Sequence, residues 1–410
     1  MAASLSVSEV YEIISNTVVP SGETIELPLD QSLGHFLAED IASPTPVPAF
    51  TNSAMDGYAF SSTVLSSASP IRLPVLGAAF AGTPSNAATP SSAAIKVTTG
   101  ACVPDAYDTV IPYEKVNAFE VDGCPHIEFN AFDIKPKANV RLRGEEIKAG
   151  AVVLSAGTRL SAAEIGLAAA LGRSHLKCRR IRAAVFATGD ELTEPGKPLR
   201  AGAIYDVNSH LIEASLRQWG VEVRNLGILP DDPDCQRSAI HNALHDCDFL
   251  ITSGGVGESE KDFTTRVLAE CGDVSHYFIR MRPGKPFSFG TLKGNARTTY
   301  FFALPGNPVA AAMSAKLFLR EAVHLAAGTH APLERLSARA ATAVKGRLGR
   351  TDFVRGIIAF ADGEYRFRPA SSQSSAMLTS LVGMNAIAVF NEDSAGAEAN
   401  EIIDVLRMPE

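Results

Sequence analysis

Ile181-Arg182-Ala183-Ala184-Val185-Phe186-Ala187-Thr188-Gly189-Asp190-Glu191-Leu192 is the stretch whose reading decides the fold. Ile181 to Ala187 is apolar apart from Arg182, and a glycine follows within two residues, which predicts a buried strand ending in a turn. The pattern then repeats. Asn208 is placed to cap a helix whose inner face is Leu211, Ile212, Ser215, Leu216 and Trp219, stopped by Gly220. Val221 to Leu229 reads as the next strand, and Asp232-Pro233 starts a helix with proline in its first turn. Phe249-Leu250-Ile251-Thr252 is a strand running into Ser253-Gly254-Gly255, and Asp262 caps a short helix ending at Gly272. Thr299 to Leu304 is a further strand, and Asn307-Pro308 opens a long alanine-rich helix closed by Gly328. Strand and helix in alternation over 178–328 predict an α/β sheet domain, in which ligands bind beyond the carboxyl ends of the strands.

Outward from this domain the pattern changes. Ser6 to Thr17 reads as a helix, and Ser43-Pro44-Thr45-Pro46-Val47-Pro48 forces an extended connector. Short β-patterned runs follow to about Val140, among them Ile95-Lys96-Val97-Thr98-Thr99 and Thr109-Val110-Ile111. Ser161-Ala162-Ala163-Glu164 is a capping box, with Leu160 and Ile165 at the staple positions and Gly172 as the stop. The expected organisation is multidomain, α/β plus β. Residues 1–45 and 140–177 form a discontinuous helical linking domain, in which the two helices pair, and 46–139 an inserted, mostly-β domain. The α/β domain spans 178–328, and residues 329–410 form a C-terminal β domain.

Composition narrows the function. The 410 residues are 46% hydrophobic and 20% charged, a globular balance, with a formal net charge of −8. The densest basic run, Lys177 to Arg182, is interrupted by Cys178 and Ile181, which argues against nucleic acid as a partner. No apolar run is long enough for a membrane span. Met1 to Pro20 carries Glu9 and Glu12 but no Lys or Arg, unlike an export signal. The six cysteines are scattered without C-x-x-C spacing, so reduced thiols and a cytoplasmic location are expected.

Three acids share one structural address. Glu191, Asp232 and Asp262 each follow a predicted strand, together with Gly189, Asp190, Ser253, Gly254, Gly255, Gly306 and Asn307. Taken singly, Asp232 and Asp262 read as helix caps. Taken together, glycines that let backbone N–H groups approach an anion sit beside carboxylates that would repel it. A divalent cation between them resolves the conflict, and hard oxygen ligands suit Mg²⁺. A magnesium-bridged phosphate site is the resulting expectation. Pro283-Gly284-Lys285-Pro286, after Arg280 and Arg282, presents one lysine on a rigid backbone and reads either as an oxyanion binder or as a tight turn. His241 and His245 lie four apart on a helix without the Glu of a zinc protease, and are read as packing or surface residues.

The chain carries the motifs N-S-A-M-D-G-Y-A (52–59), T-T-G-A-C-V-P (98–104), R-L-R-G-E-E-I (141–147), S-A-G-T-R-L (155–160), T-G-D-E-L (188–192) and I-Y-D-V-N (204–208). They continue with D-D-P (231–233), S-G-G-V (253–256), P-G-K-P (283–286), L-P-G-N-P-V (304–309) and G-R-T-D-F-V-R-G (349–356). Through these motifs, in this order, the chain resembles the molybdopterin molybdenumtransferases, of MoeA type. The resemblance implies a homodimer with an active site shared between subunits. It implies conversion of adenylylated molybdopterin and molybdate, with Mg²⁺, to molybdenum cofactor and AMP. Glu191, Asp232 and Asp262 would surround metal and phosphate, and Asp56 and Thr99 would come from the other subunit. Arg282, Lys285 and Pro286 would bind oxyanion groups, with Arg350 and Ser375 added by the C-terminal domain. Transient contacts with an adenylyltransferase and with recipient molybdoenzymes are part of the same implication.

Some positions depart from the family pattern. Gly257-Glu258-Ser259 follows Gly-Gly-Val where Ser-x-Gly is usual, Ala310 replaces a serine, and Gln373-Ser374-Ser375-Ala376 replaces Gln-Gly-Ser-His. Gly144-Glu145-Glu146 stands for Gly-Glu-Asp, which keeps the charge and moves it by a methylene. These changes leave a further reading, a paralogue that carries molybdopterin or cofactor without full turnover; a molybdopterin adenylyltransferase is another, since that activity uses a related α/β domain.

Overall fold

The computed structural model describes residues 3–67, 69–230, 232–254, 267, 268, 270–294, 297–330 and 332–408. The chain divides into two compact units: Asp40–Ser155 with Leu167–Gly172, and the remaining segments.

At the centre of the larger unit is a seven-stranded sheet. Its strands are β1 (Ala3–Leu5), β2 (Arg182–Thr188), β3 (Glu222–Leu229), β4 (Phe249–Ser253), β5 (Gly272–Ile279), β6 (Pro286–Lys293) and β7 (Thr298–Leu304). Their spatial order is β1-β5-β6-β7-β4-β2-β3. β3, β2, β4 and β7 run parallel, β1 runs parallel to β5, and β6 is antiparallel to both β5 and β7.

Residues alternate across the pleat into two cores. Val185, Phe249, Ile251 and Phe302 face one side, where helices Asn208–Gln218 and Pro308–Ser314 cover them. Ala184, Phe186, Leu250 and Phe301 face the other, with Ile240 and Leu244 of helix Pro233–Leu244. Burial on both faces is why these strands are continuous apolar runs rather than alternating ones.

The N-terminal helix Val7–Thr17 is fixed by a capping box between Ser6 and Glu9. It packs Val10 and Ile14 into the first core and sets Tyr11 against Phe318, with ring centroids 5.2 Å apart. The helix that begins at Pro308 continues through a π-type turn, Ala315–Leu319, and a final α-helical segment, Arg320–Ala326. Gly328, at φ 83°, ends it.

Five C-terminal strands, Arg335–Ala340, Thr351–Ala361, Glu364–Pro369, Ala386–Phe390 and Ile402–Arg407, form a sheet closed on itself, because Thr351–Ala361 pairs with both Glu364–Pro369 and Ala386–Phe390. Its core is Val354, Ile358, Phe367, Ala388 and Val405. Met281–Arg282 adds to it as a parallel edge, with Met281 opposite Thr351 and Arg282 opposite Asp352. The smaller unit carries a second six-stranded sheet, built from Thr109–Pro112, Gly57–Phe60, Ala94–Val97, Ile71–Ala79, Cys124–Phe129 and Asn117–Val121 in that spatial order. Gly57 is obligatory there, since a Cβ would lie 2.1 Å from the Ile111 carbonyl oxygen.

All six cysteines are free thiols. Among the described residues no helix is long and apolar enough to cross a membrane.

One buried group ties this core to pH. His324 is 4% exposed, packs edge-on to Phe36 at 5.1 Å, and its Nδ1 has no partner. Burial, then Arg320 and Arg159, pull its pKa down to about 4 from the ordinary 6.5. A depressed folded-state value means that the unfolded chain takes up the proton first. The associated stability is present above about pH 6.5 and is lost as pH falls toward about 4, roughly 3 kcal/mol in all. Urea unfolding followed by the fluorescence of Trp219, the chain's single tryptophan and part of the same core, should show this loss. His324→Leu should flatten it.

Candidate functional site

The parallel strands set the rim. β3 and β4 lie on opposite sides of β2, so the strand order reverses there and opens a crevice at the carboxyl ends. β6 runs antiparallel to β7, with Ser288 opposite Ala303, so the connection leading into β6 reaches the same rim. Gly189, Gly254, Pro305-Gly306-Asn307 and Pro283-Gly284-Lys285 are therefore all at one end of the sheet. Gly254 has φ 90°, and a Cβ on it would lie 3.1 Å from the Thr188 carbonyl oxygen, so the β2 and β4 ends approach closely.

Asn208 does not cap its helix as expected; it is the first helical residue. Its amide Nδ2 donates to Ser253 Oγ and to the Gly306 carbonyl, both at 2.7 Å, tying the β4 end to the β7 end. The N-cap position is Val207, and the acceptor comes from Asp206 just before it, whose Oδ1 accepts from the Ser209 N–H at 3.1 Å and whose Oδ2 accepts from the Ser209 hydroxyl. Asn208 is drawn inward because the two strand ends need a donor that bridges them, and Asp206 is already in capping range.

Between this rim and the C-terminal sheet is a cleft of about 860 Å³. It brings together Arg282, Lys285, Pro286, Gly306, Asn307, Arg350 and Ser375 of the residues named from sequence. The lining includes five basic side chains, Arg280, Arg282, Lys285, Arg347 and Arg350, and no carboxylate. Two of the five are paired outside it: Arg280 with Glu392 at 2.9 Å and Arg350 with the buried Asp352 at 3.1 Å. Lys285 has its ammonium 4.8 Å from the centre of the Phe278 ring. Such a lining attracts anions and repels metal cations. A second cleft, about 780 Å³, runs along Tyr11, Leu317, Leu333 and Phe353 and mixes Glu392 and Asp393 with arginines, so it lacks a field of one sign.

The lysine is aimed by its glycine. Gly284 sits at φ 108°, and a Cβ would come within 2.8 Å of Ser314 Oγ and 3.0 Å of Met281 Cε. Ser314 is itself fully buried with its hydroxyl unpaired. Ala310, one turn earlier on that helix, lines the cleft with a methyl group.

The acids are elsewhere on the rim. Glu191 and Asp232 are exposed, on the segments leaving the adjacent strands β2 and β3, where Thr188 pairs with Leu229. Asp232 is the N-cap of its helix, with Oδ1 accepting from the Cys235 N–H at 2.8 Å. No helix begins at Glu191; the chain there makes a short strand, Leu192–Thr193, paired with Ile204–Tyr205. Gly189, at φ 146°, is overlaid by the Glu191 carboxylate, 2.7 Å from where its Cβ would stand. Asp190 is exposed beside it, and Ser253 is buried at the β4 end. Gly255 and Asp262, like Gly257 and Glu258, lie outside the described residues.

Asp56 and Thr99 belong to the smaller unit and meet each other there. Asp56 Oδ1 accepts from the Thr99 N–H at 2.6 Å and from its hydroxyl at 2.9 Å. The N–H contact, then the hydroxyl, hold the Asp56 carboxyl below its ordinary range.

Sequence reasoning missed Arg347 and Gln373 in the cleft and the bridging amide of Asn208. Arg347 stands two residues before the Gly349-Arg350 motif, and that proximity was its only signal.

The chain matches the MoeA N-terminal region (domains I and II) over residues 5–172. It matches a probable molybdopterin-binding domain over 184–324 and the MoeA C-terminal region (domain IV) over 337–408. It is 37% identical to the molybdopterin molybdenumtransferase of Haemophilus influenzae, over 93% of each chain. It is 30% identical to that of Bacillus subtilis, over 95% of this chain and 91% of the relative. A crystal structure of the molybdopterin biosynthesis MoeA protein from Pyrococcus horikoshii OT3 superposes with a TM-score of 0.81 at 26% identity, covering 98% of this chain and 99% of that one.

Gly284→Ala tests whether the lysine's presentation matters. The forced φ and the contact with Ser314 should cost about 1–2 kcal/mol of stability and move Lys285. Titration calorimetry with molybdate should show affinity falling about tenfold or more, a loss of about 1.4 kcal/mol.

Proposed function

The chain belongs to the molybdopterin molybdenumtransferase family, and on that premise we propose that it inserts molybdenum into molybdopterin. Adenylylated molybdopterin and molybdate are the substrates, and molybdenum cofactor and AMP the products. The observation that carries this reading is the cleft lined by five cations and no carboxylate, at the rim where α/β sheets bind ligands.

Each part of the rim has a task in the proposal. Lys285 and Arg282 hold molybdate, a tetrahedral dianion, by charge-assisted hydrogen bonds. Arg350, kept in place by Asp352, and Ser375 add donors from the C-terminal sheet. Pro286, Gly306 and Asn307 shape the floor between them. At the other end of the rim, the substrate's phosphate groups are proposed to lie near Gly189 and Gly254, with Asp190 and Ser253 flanking them.

Cutting the phosphoanhydride needs alignment and charge neutralisation more than a protein nucleophile. In the proposed step water attacks the molybdopterin phosphorus, the P–O bond to AMP breaks with its electron pair leaving on the bridging oxygen of AMP, and the proton of water passes to solvent. Molybdate forms two Mo–S bonds to the dithiolene thiols as one of its oxides leaves as water with their two protons.

Glu191 and Asp232 fit a hard divalent cation. Both are exposed oxygen donors at neighbouring strand ends, and the helix cap engages only Oδ1 of Asp232. They, with Asp262, are the proposed Mg²⁺ ligands, and when bound the ion supplies Lewis acidity at the phosphoryl oxygens. Asp56 and Thr99, already joined to each other, are proposed to act on the site of a second subunit in a cytosolic homodimer. Full-length relatives named as molybdenumtransferases do not favour the carrier or adenylyltransferase readings.

The test is AMP release from adenylylated molybdopterin in the presence of molybdate and Mg²⁺. Glu191→Gln and Asp232→Asn should each lower kcat by about a hundredfold or more while the chain stays folded. Lys285→Ala should instead raise KM for molybdate by about tenfold or more. Full turnover in both acid variants would remove the metal assignment, and ATP consumption without molybdate would replace insertion by adenylylation.

A further inference from the structure

Arg355 is fully buried, and no carboxylate among the described residues pairs with it. It lies on strand Thr351–Ala361, where Val354 and Ile358 face the C-terminal core and Phe353 joins the α/β core. By strand alternation Arg355 shares the face of Phe353, turned away from the C-terminal core. A buried guanidinium without a counter-ion is costly, so what holds it there carries information.

Its partners belong to one loop. Nε donates to Ser380 Oγ at 2.9 Å, and one terminal nitrogen donates to the carbonyls of Ser372 at 3.3 Å and Ser374 at 3.2 Å. Main-chain bonds reinforce the grip. The Arg355 N–H donates to Gln373 Oε1 at 3.0 Å, and its carbonyl accepts from Gln373 Nε2 at 2.9 Å and from the Ala370 N–H at 2.8 Å. The far end of the loop is moored to the α/β domain, where the Ser375 carbonyl accepts from the Val309 N–H at 3.2 Å. Gln373, Ser374 and Ser375 are the C-terminal wall of the cationic cleft.

We propose that Arg355 is a positioning residue for oxyanion binding: it suspends residues 370–375 so that their polar groups form the wall facing Arg282 and Lys285. The proposal rests on the reading of the cleft as an oxyanion site. The other terminal nitrogen of Arg355 has no partner. Burial first, and then the charge of Arg282, hold the guanidinium below its ordinary pKa. The two cations thus repel, and a dianion bound beside Arg282 relieves that repulsion. Arg355 acts through the loop and its field, without touching the ligand.

Arg355→Lys separates geometry from charge, since lysine keeps the charge but cannot reach two carbonyls and a hydroxyl at once. In the full-length chain, calorimetry with molybdate alone should show affinity about tenfold or more weaker for this variant. KM for molybdate should rise by a similar factor while kcat falls by no more than about threefold. A merely structural role would lower the active fraction, and hence kcat, with KM unmoved. Ser380→Ala, which removes only the Nε partner, should give a smaller loss of affinity in the same direction and guards against a lysine variant that fails to fold.

Unchanged molybdate affinity in both variants would overturn the proposal, as would a loss confined to kcat. Molybdate binding by the unsubstituted chain without AMP release would overturn the insertion reading instead and leave the assignment of Arg355 standing.

Discussion

Two residue pairs of main-chain bonding, Met281 with Thr351 and Arg282 with Asp352, hold the functional half of this protein together. They splice the edge of the closed C-terminal sheet to the segment that leads directly into Pro283-Gly284-Lys285. The Thr351 N–H donating to the Arg280 carbonyl at 2.8 Å continues the splice by one residue. Because a β ladder fixes register, it also fixes which side chains meet. Arg282 and Lys285 lie on one side of the joint and Arg350 on the other, and all three line the same cleft. A slip of one residue would turn Asp352, which orients Arg350, to the opposite face.

The splice also explains why the cleft needs a second fastening. A two-residue pairing cannot by itself fix a loop that begins almost twenty residues further along the strand order, so residues 370–375 are held separately. Arg355 grips them from the C-terminal side and the Val309 N–H from the α/β side. Arg280 adds a third tie, through Glu392 at 2.9 Å and the Ser4 carbonyl at 3.0 Å. The first and third ties use a guanidinium, whose planar array of donors can serve several acceptors in one conformation.

Much of the α/β domain was legible because its central strands are buried on both faces and leave unbroken apolar runs. The hairpin β5–β6 was not, since its strands are only half buried and carry His276, Ser275 and Ser288 within them. For the same reason Pro283-Gly284-Lys285-Pro286 was visible as a rigid turn but not as the link into a sheet strand. Asn208 was misread because a polar residue at a helix start is usually a cap, and local sequence cannot reveal two distant strand ends that need bridging. Glu191 and Asp232 lie beyond the ends of β2 and β3, where their places after predicted strands set them, yet Asp232 also fulfils the humbler role of cap. Arg355 could have been flagged: an arginine two residues from Phe353, on the same face of the strand, sits where alternation predicts burial.

The division of charge along the rim is the step that joins fold to chemistry. Carboxylates stand at the ends of β2 and β3, and cations stand where β6 begins and the C-terminal sheet joins. A divalent metal is repelled from the cationic cleft and an oxyanion from the acidic end, so on the proposed reading each field disfavours the wrong occupant. The strand reversal at β2 separates these two fields along the sheet. Gly189 and Gly254 stand at that reversal, at the ends of β2 and β4. Loss of a hydroxyl at Ala310 removes one neutral donor from the cationic side. It leaves intact the charge pattern, which is the longer-ranged term and the one that sorts metal from oxyanion.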